Sequence, residues 1–389
     1  MCADISVDSA MDRSSSLRQE MATRAMFLVA GMSLAAWAPL VPFALQRLGI
    51  EDGSLGLLLL CLGLGSIVAM PTTGTLASRF GCRAVMTGAT AVIALTLPCL
   101  ALAGTVPGLA ATLALFGAGV GTVDVAVSIQ AIAVQKTSGR PLMSGFHGFF
   151  SLGGIVGAGG VTLLLNSGLS PLQATLTVVA AALTLLLLAY RGLLSYGDPD
   201  AAAAPFFVLP RGIVLLIGAL CFIAFLGEGS VLDWSALFLI GTKNVDVGHA
   251  GFGYAVFAAA MTTGRFLGDR LVARVGNRRV LIGGGAVTAF GFLLAVSAPS
   301  TILAFAGFLM VGLGASNIVP VLFTATGQQT RMPASLAVSA VTTIGYSGVL
   351  TGPALIGLVA QRTSLGIALL ILAGGFLSIA VIGPKTLRH

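Results

Sequence analysis

Two stretches of this chain run for some fifty residues without a formal charge. Pro141 to Tyr190 (50 residues) and Val280 to Thr330 (51 residues) contain no Asp, Glu, Lys or Arg. A helix needs about 20 apolar residues to cross a bilayer, so each stretch holds two crossings joined by a tight turn. A water-soluble surface cannot be assembled from such segments. The whole chain agrees: 8% of its residues are charged, against roughly 25% in an ordinary soluble domain, and its mean hydropathy is +1.02. Strands of a membrane barrel alternate in polarity over ~10 residues, whereas Ala180 to Leu188 is apolar on every face. The expected fold is an all-α membrane protein with no separate soluble domain.

Apolar runs and their Gly, Pro and charged punctuation predict twelve transmembrane helices, near 24–48, 54–78, 83–104, 107–135, 141–166, 170–193, 211–240, 248–272, 278–298, 301–328, 333–360 and 364–384. Residues 1–23 mix Asp4, Asp8, Asp12, Glu20, Arg13 and Arg18 with a serine run; this composition reads as a disordered cytoplasmic tail. With an even helix count both termini share one side, and lysines and arginines sort the loops. One set holds Arg13, Arg18, Arg24, Arg79, Arg83, Lys136, Arg140, Arg191, Arg211, the five arginines from Arg265 to Arg279, Arg331, Lys385 and Arg388. The other holds Arg47, Lys243 and Arg362. The split of 17 to 3 places both termini in the cytoplasm. The net charge of +7 is therefore an orientation signal in short loops, and no nucleic-acid partner is expected. The five cysteines, Cys2, Cys61, Cys82, Cys99 and Cys221, show no paired spacing, so neither metal, disulfide nor cofactor is expected.

One register recurs along the chain. Arg79-Phe80-Gly81-Cys82-Arg83 aligns with Arg274-Val275-Gly276-Asn277-Arg278 at a shift of 195 residues, as do Gly117 and Gly119 with Gly312 and Gly314, and Gly153 and Gly157 with Gly348 and Gly352. Met70-Pro71-Thr72-Thr73-Gly74 and Met261-Thr262-Thr263-Gly264 resemble each other at a shift of their own. Two parallel six-helix pseudo-repeats follow: an N-terminal half over 24–193, a central cytoplasmic loop over 194–210, and a C-terminal half over 211–389 ending in a short tail. Parallel halves with a site near the midplane are transporter architecture.

Two such halves, with a basic loop between the second and third helix of each, resemble the major facilitator superfamily over about residues 24 to 384. The superfamily's loop pattern Gly-x-Leu-Ala-Asp-Arg-x-Gly-x-Arg here reads Gly74-Thr75-Leu76-Ala77-Ser78-Arg79-Phe80-Gly81-Cys82-Arg83, with Ser78 in the acid's place. In the second half Ala273 holds that position and Asp269 lies one helical turn earlier, ahead of Arg274, Gly276 and Arg278. The resemblance implies a gating role for Gly74, Arg79, Gly81, Arg83, Asp269, Arg274, Gly276 and Arg278. More locally, Gly145-Phe146-His147-Gly148-Phe149-Phe150-Ser151-Leu152-Gly153 and the stretch from Phe225 to Trp234 are similar to the rhizopine-transporter-like branch. That similarity implies a carrier for sugar-like or amino-cyclitol-like solutes.

Of the 13 acids, Asp124, Glu228 and Asp233 fall inside spans, where a charge costs about 2.5–3.5 kcal/mol on insertion scales. Glu228, between Gly227 and Gly229, is the first candidate for proton coupling or substrate contact; the alternative is a structural acid paired across helices. Asp233, about 140° further round the helix, ties helix 7 to a neighbour or lines the cavity. Asp124 follows the Gly117-x-Gly119-x-Gly121 run and is a cavity candidate, or a hydrogen-bonded structural acid. His147 either relays protons with Asp124 or donates to a backbone carbonyl or to Gln130. Trp37, Trp234, Asn317 and Tyr346 complete the expected substrate contacts, because an indole offers a flat face to sugar rings or cations.

The function read from the sequence is a monomeric secondary transporter in the bacterial cytoplasmic membrane. It moves a small polar solute by alternating access and is coupled to protons. An uncoupled facilitator, a ligand-binding membrane sensor and an efflux carrier for drugs or metabolites stand as alternatives. No Ser-His-acid or metal constellation points to an enzyme.

Overall fold

A bilayer offers the backbone no hydrogen-bond partners, so each span must satisfy its own amides. The protein is accordingly helical along nearly all of residues 3–49, 52–195 and 209–387, the residues described by this computed structural model. Ten helical segments among them are long and apolar enough to cross a membrane. The segment Leu60–Leu102 contains two spans, because helix Asp52–Leu102 turns at Gly81. The arginine-rich helix Phe252–Val275 adds a further one.

The resulting twelve are α1 (Ala3–Ala35, continued after a break by Val41–Leu48), α2 and α3 (52–80 and 82–102), α4 (Val106–Ser138), α5 (Met143–Asn166) and α6 (Pro171–Ala189). The second set is α7 (Ile213–Lys243), α8 (Phe252–Val275), α9 (Asn277–Ser297), α10 (Thr301–Ala315 with Ile318–Gln328), α11 (Ala334–Arg362) and α12 (Leu365–Ile382). The first helix starts at Ala3 and not near residue 24, so the segment expected as a disordered tail is helical wherever it is described. Most of the expected central loop lies outside the described residues.

The helices begin where short polar side chains satisfy their first amides. Thr105 accepts from Gly108 at the start of α4, Ser300 from Leu303 at α10, and Ser364 from Ile367 at α12. Ser170 and Gln173 close a reciprocal capping box on α6, with Pro171 at its first turn. The internal repeat is visible in the backbone. Gly81 (φ 79°, ψ 155°) and Gly276 (φ 83°, ψ 156°) make the same turn in the two halves, in a region essentially closed to other residues. A Cβ on Gly117 would strike the Leu62 carbonyl of α2, and one on Gly312 the Phe257 carbonyl of α8. Gly153 and Gly348 meet the Leu28 and Phe222 carbonyls in the same way. The glycines that carry the sequence repeat are thus the points where helix backbones cross in contact.

The chain forms two compact units, Met1–Arg140 with Phe149–Val208, and Pro141–Gly148 with Leu209–His389. The first six residues of α5 therefore group with the second unit. Each unit closes one end with a basic residue. Arg47 donates to the carbonyls of Leu100, Ala101 and Ala103 at the end of α3, at 2.9, 2.6 and 2.8 Å. Lys243 donates to Val296 and Ala298 at the end of α9, at 3.0 and 2.6 Å. Both cations satisfy terminal carbonyls at the negative end of a helix dipole. Arg47→Ala and Lys243→Ala should each lower unfolding stability by about 1.5 kcal/mol, the low end for hydrogen bonds to a charged group. Thermal unfolding in detergent checks this, and an unshifted midpoint in both variants would refute it.

Candidate functional site

In the second unit an arginine lies in the middle of a span. Arg265 on α8 is 6% exposed, and its Nη2 donates to both carboxylate oxygens of Glu228 on α7, at 3.1 and 3.2 Å. Charge patterning places Arg265 among the loop arginines; its position inside Phe252–Val275 corrects that. Glu228 is held by its flanking glycines. A Cβ on Gly227 would meet the Phe376 ring of α12, and Gly229 lies against Val349 of α11, so α7 packs tightly there. Removing one partner of a buried ion pair leaves an uncompensated charge and typically costs about 3–5 kcal/mol.

One turn further along α8, Asp269 accepts from the backbone N–H groups of Ser144 and Gly145, both at 2.9 Å. A carboxylate on the first amides of α5 satisfies donors that have no intrahelical partner and sits at the positive end of the dipole. The fit demands glycines: a Cβ on Gly145 would lie 2.5 Å from Asp269 Oδ2, and one on Gly148 would press on the Phe266 ring at 3.0 Å. Gly268 gives room to Asn317 of α10 and to Ser144.

Asn317 breaks α10 (φ −111°, ψ 1°) and donates from Nδ2 to the Gly264 carbonyl at 3.0 Å and to Ser316 Oγ at 2.8 Å. Its amide nitrogen thus pins α10 to α8, while its Oδ1 is buried without a protein hydrogen bond. His147, buried on the first turns of α5, packs edge-on to Phe323 at 5.4 Å and lies within electrostatic reach of Arg265. Gln130, suggested as its partner, is engaged elsewhere: it donates to Thr23 Oγ1 at 3.0 Å and accepts from Leu194 N at 3.0 Å.

The remaining candidates are dispersed. Asp233 is exposed on α7, and no ion pair or hydrogen bond holds its side chain among the described residues. Asp124, half-buried on α4 in the first unit, has none among them either. Trp37 sits where α1 breaks ahead of Pro39 and Pro42, and Trp234 lies on α7 against Gly357. Both indole N–H groups are buried without a protein acceptor. Tyr346 is half-buried on α11.

The loop motif of the first half is anchored locally. Arg83 donates from Nε and Nη2 to the Leu193 carbonyl at 3.0 and 2.8 Å and lies 5.1 Å over the Tyr190 ring. A Cβ on Gly81 would meet the Ser195 backbone. Ser78, in the acid's place, bonds back to the carbonyl of buried Gly74 at 2.8 Å, and Arg79 is exposed. In the second half Arg274 and Arg278 are both exposed beside the Gly276 turn.

Composition hid another pair. Glu20, placed in the tail by its neighbours, is 2% exposed and accepts from Arg140 Nη2 at 2.8 Å through both oxygens. Arg24 lies 3.6 Å away. The i, i+4 spacing of Glu20 and Arg24, a helical pattern, was the available signal.

A helical membrane protein built on a repeated unit, with a buried charge pair and a carboxylate on a neighbouring helix terminus, has the plan of a solute carrier. Solved structures share the fold. The proton:xylose symporter XylE matches at TM-score 0.78 with 15% identity, covering 97% of each chain. The Escherichia coli fucose:proton symporter FucP matches at 0.75 with 14% identity, over 96% of this chain and 100% of that one. The human organic anion transporter MFSD10 matches at 0.75 with 18% identity, over 94% and 99%. No family model matches the sequence. Its relatives are nonetheless near: an uncharacterised MFS-type transporter of Yersinia pestis is 54% identical over 352 residues, 90% of this chain and 91% of that protein. An uncharacterised transporter of Sinorhizobium fredii is 33% identical over 92% and 95% of the two chains. The membrane protein MosC of Rhizobium meliloti is 29% identical over 88% and 84%. The chain belongs to the major facilitator superfamily of transporters and is a multi-pass membrane protein.

Gly268→Ala should press on Asn317 and cost about 1–3 kcal/mol, the usual penalty for overpacking, and Asn317→Ala added to it should recover part of the loss. Thermal unfolding of the single and double variants checks this; an unchanged midpoint for Gly268→Ala would refute it.

Proposed function

We propose that the protein is a proton-coupled secondary transporter of a small polar solute, working by alternating access in the bacterial cytoplasmic membrane with both termini inside. It acts as a monomer, with protons, solute and lipid as its partners. The observation that carries this reading is the Glu228–Arg265 pair, a carboxylate and a guanidinium both held inside the span. A group that must alternate between charged and neutral forms needs a charge nearby that distinguishes them, and Arg265 is that charge. Asp124 is the second candidate for the proton. His147, within electrostatic reach of Arg265, is the third member of the proposed proton-coupling set.

The solute belongs to the sugar-like or amino-cyclitol-like class. The motifs around His147 and Glu228 support this through their branch resemblance, and the buried indole N–H groups of Trp37 and Trp234 support it as donors aimed at no protein acceptor. XylE and FucP, whose names record proton symport with xylose and fucose, lend further support to coupling. Trp37, Asp233, Trp234, Asn317 Oδ1 and Tyr346 are the proposed solute contacts. Gly74, Arg79, Gly81, Arg83, Asp269, Arg274, Gly276 and Arg278 form the proposed gating set, in which Arg83 acts by anchoring its loop to the end of α6.

Uptake into proteoliposomes with and without an imposed pH gradient tests the proposal, using sugars, cyclitols and amino-cyclitols as probes. Gradient-driven accumulation should vanish in Glu228→Gln, while solute binding, read as thermal stabilisation, survives. Asp124→Asn is the comparison. Full accumulation by Glu228→Gln would transfer the coupling role to Asp124; accumulation indifferent to the gradient in the unmodified protein would leave an uncoupled facilitator.

A further inference from the structure

Three observations meet on one face of α8. Arg265 pairs with Glu228. Asp269, four residues on, caps the first amides of α5. Between them Gly268 is fitted against both Ser144 and Asn317, so this part of α8 has no slack relative to its neighbours. Residues four apart on a helix are neighbours, with about 5–6 Å between Cβ atoms, and opposite charges at that spacing attract. Arg265 thus stands within reach of two carboxylates, one on α7 and one on its own helix.

We propose that Arg265 exchanges partners during the cycle. When Glu228 takes up a proton and becomes neutral, the guanidinium turns to Asp269 and draws that carboxylate off the N-terminus of α5. The charges balance: a proton from water neutralises Glu228, Arg265 and Asp269 neutralise each other, and the amides of Ser144 and Gly145 pass to water. Loss of the proton restores the Glu228 pair and returns Asp269 to its cap. Arg265 is then a positioning residue that converts protonation on α7 into release of α5. The other titratable groups facing the pair are Cys221 on α7, Tyr254 on α8 and His147 on α5, each within electrostatic reach of Glu228 or Arg265, with Asp233 of α7 in reach of Tyr254; α11 and α12 face this part of α7 with Val349 and Phe376, and α10 with neutral side chains. The inference rests on the coupling role proposed for Glu228, but its test needs no solute.

Ser144 is 2% exposed, so a thiol there reports release of α5. In a background with Cys2, Cys61, Cys82, Cys99 and Cys221 replaced, Ser144→Cys is labelled with a membrane-impermeant maleimide from the side that carries Lys136 and Arg140. Glu228→Gln should raise the labelling rate about tenfold, the factor for losing a favourable carboxylate–dipole contact, and Asp269→Asn should do the same. Arg265→Gln alone, and combined with Glu228→Gln, should keep the slow rate, because the guanidinium that draws Asp269 off its cap is gone. Fast labelling in the double variant, or slow labelling in Glu228→Gln, would overturn the exchange.

Should Glu228→Gln fail to fold, the parent itself supplies the test. Its labelling relative to exposed Thr137→Cys should rise on acidification, and Arg265→Gln should flatten that rise. A flat ratio in the parent would also overturn the proposal. Unchanged labelling alongside lost gradient-driven uptake in Glu228→Gln would end the exchange yet leave the coupling role intact. Changed labelling with full uptake would do the converse.

Discussion

An arginine in the middle of a span is an expensive residue for this chain to carry, and Glu228 is what makes it tolerable. A lone guanidinium at the bilayer centre costs several kcal/mol, and the pair at 3.1 Å offsets part of that by placing an opposite charge against it. The local architecture follows from holding it. Glycines on both sides of Glu228 let α7 press against α11 and α12, and Gly264 and Gly268 let Asn317 of α10 press against α8. A buried pair of this kind is weak evidence for stability, because its desolvation offsets its attraction.

Helix ends supply the second theme. Every span leaves amides at one end and carbonyls at the other without partners, and this protein uses charged side chains from other helices to meet them. Asp269 serves the start of α5, Arg47 the end of α3 and Lys243 the end of α9. The last two bear on the charge pattern: one set of loops holds only Arg47, Lys243 and Arg362, and two of these three cap helices. The Asp269 cap differs in being one turn from a residue that could compete for it.

Much of the site was legible as residue types and little of it as partnerships. Glu228 stood out because an acid between two glycines in an apolar run has few structural excuses. Arg265 did not, because four more arginines follow it within fourteen residues and a charge count assigns them all to one loop. Glu20 was missed for the mirror reason: its acidic, serine-rich neighbours look like tail, while its own side chain is buried against Arg140. The polar group expected to contact solute at Asn317 spends its amide nitrogen on the Gly264 carbonyl, a partner 53 residues away.

Local patterning in the chain was enough for the helix count, the repeat and the family, though not for the start of the first helix. Those depend on local quantities: twenty apolar residues span a bilayer, a helix satisfies its own backbone, and a glycine at positive φ is required wherever the chain must turn as it does at Gly81 and Gly276. Tertiary structure decided which charge meets which. Glu228 and Arg265 are 37 residues apart and Asp269 and Ser144 are 125 apart. Whether such residues touch depends on the rotation of each helix about its axis and on which helix lies beside it. A membrane sequence encodes these weakly, since an apolar face reads the same whether it packs on lipid or on protein.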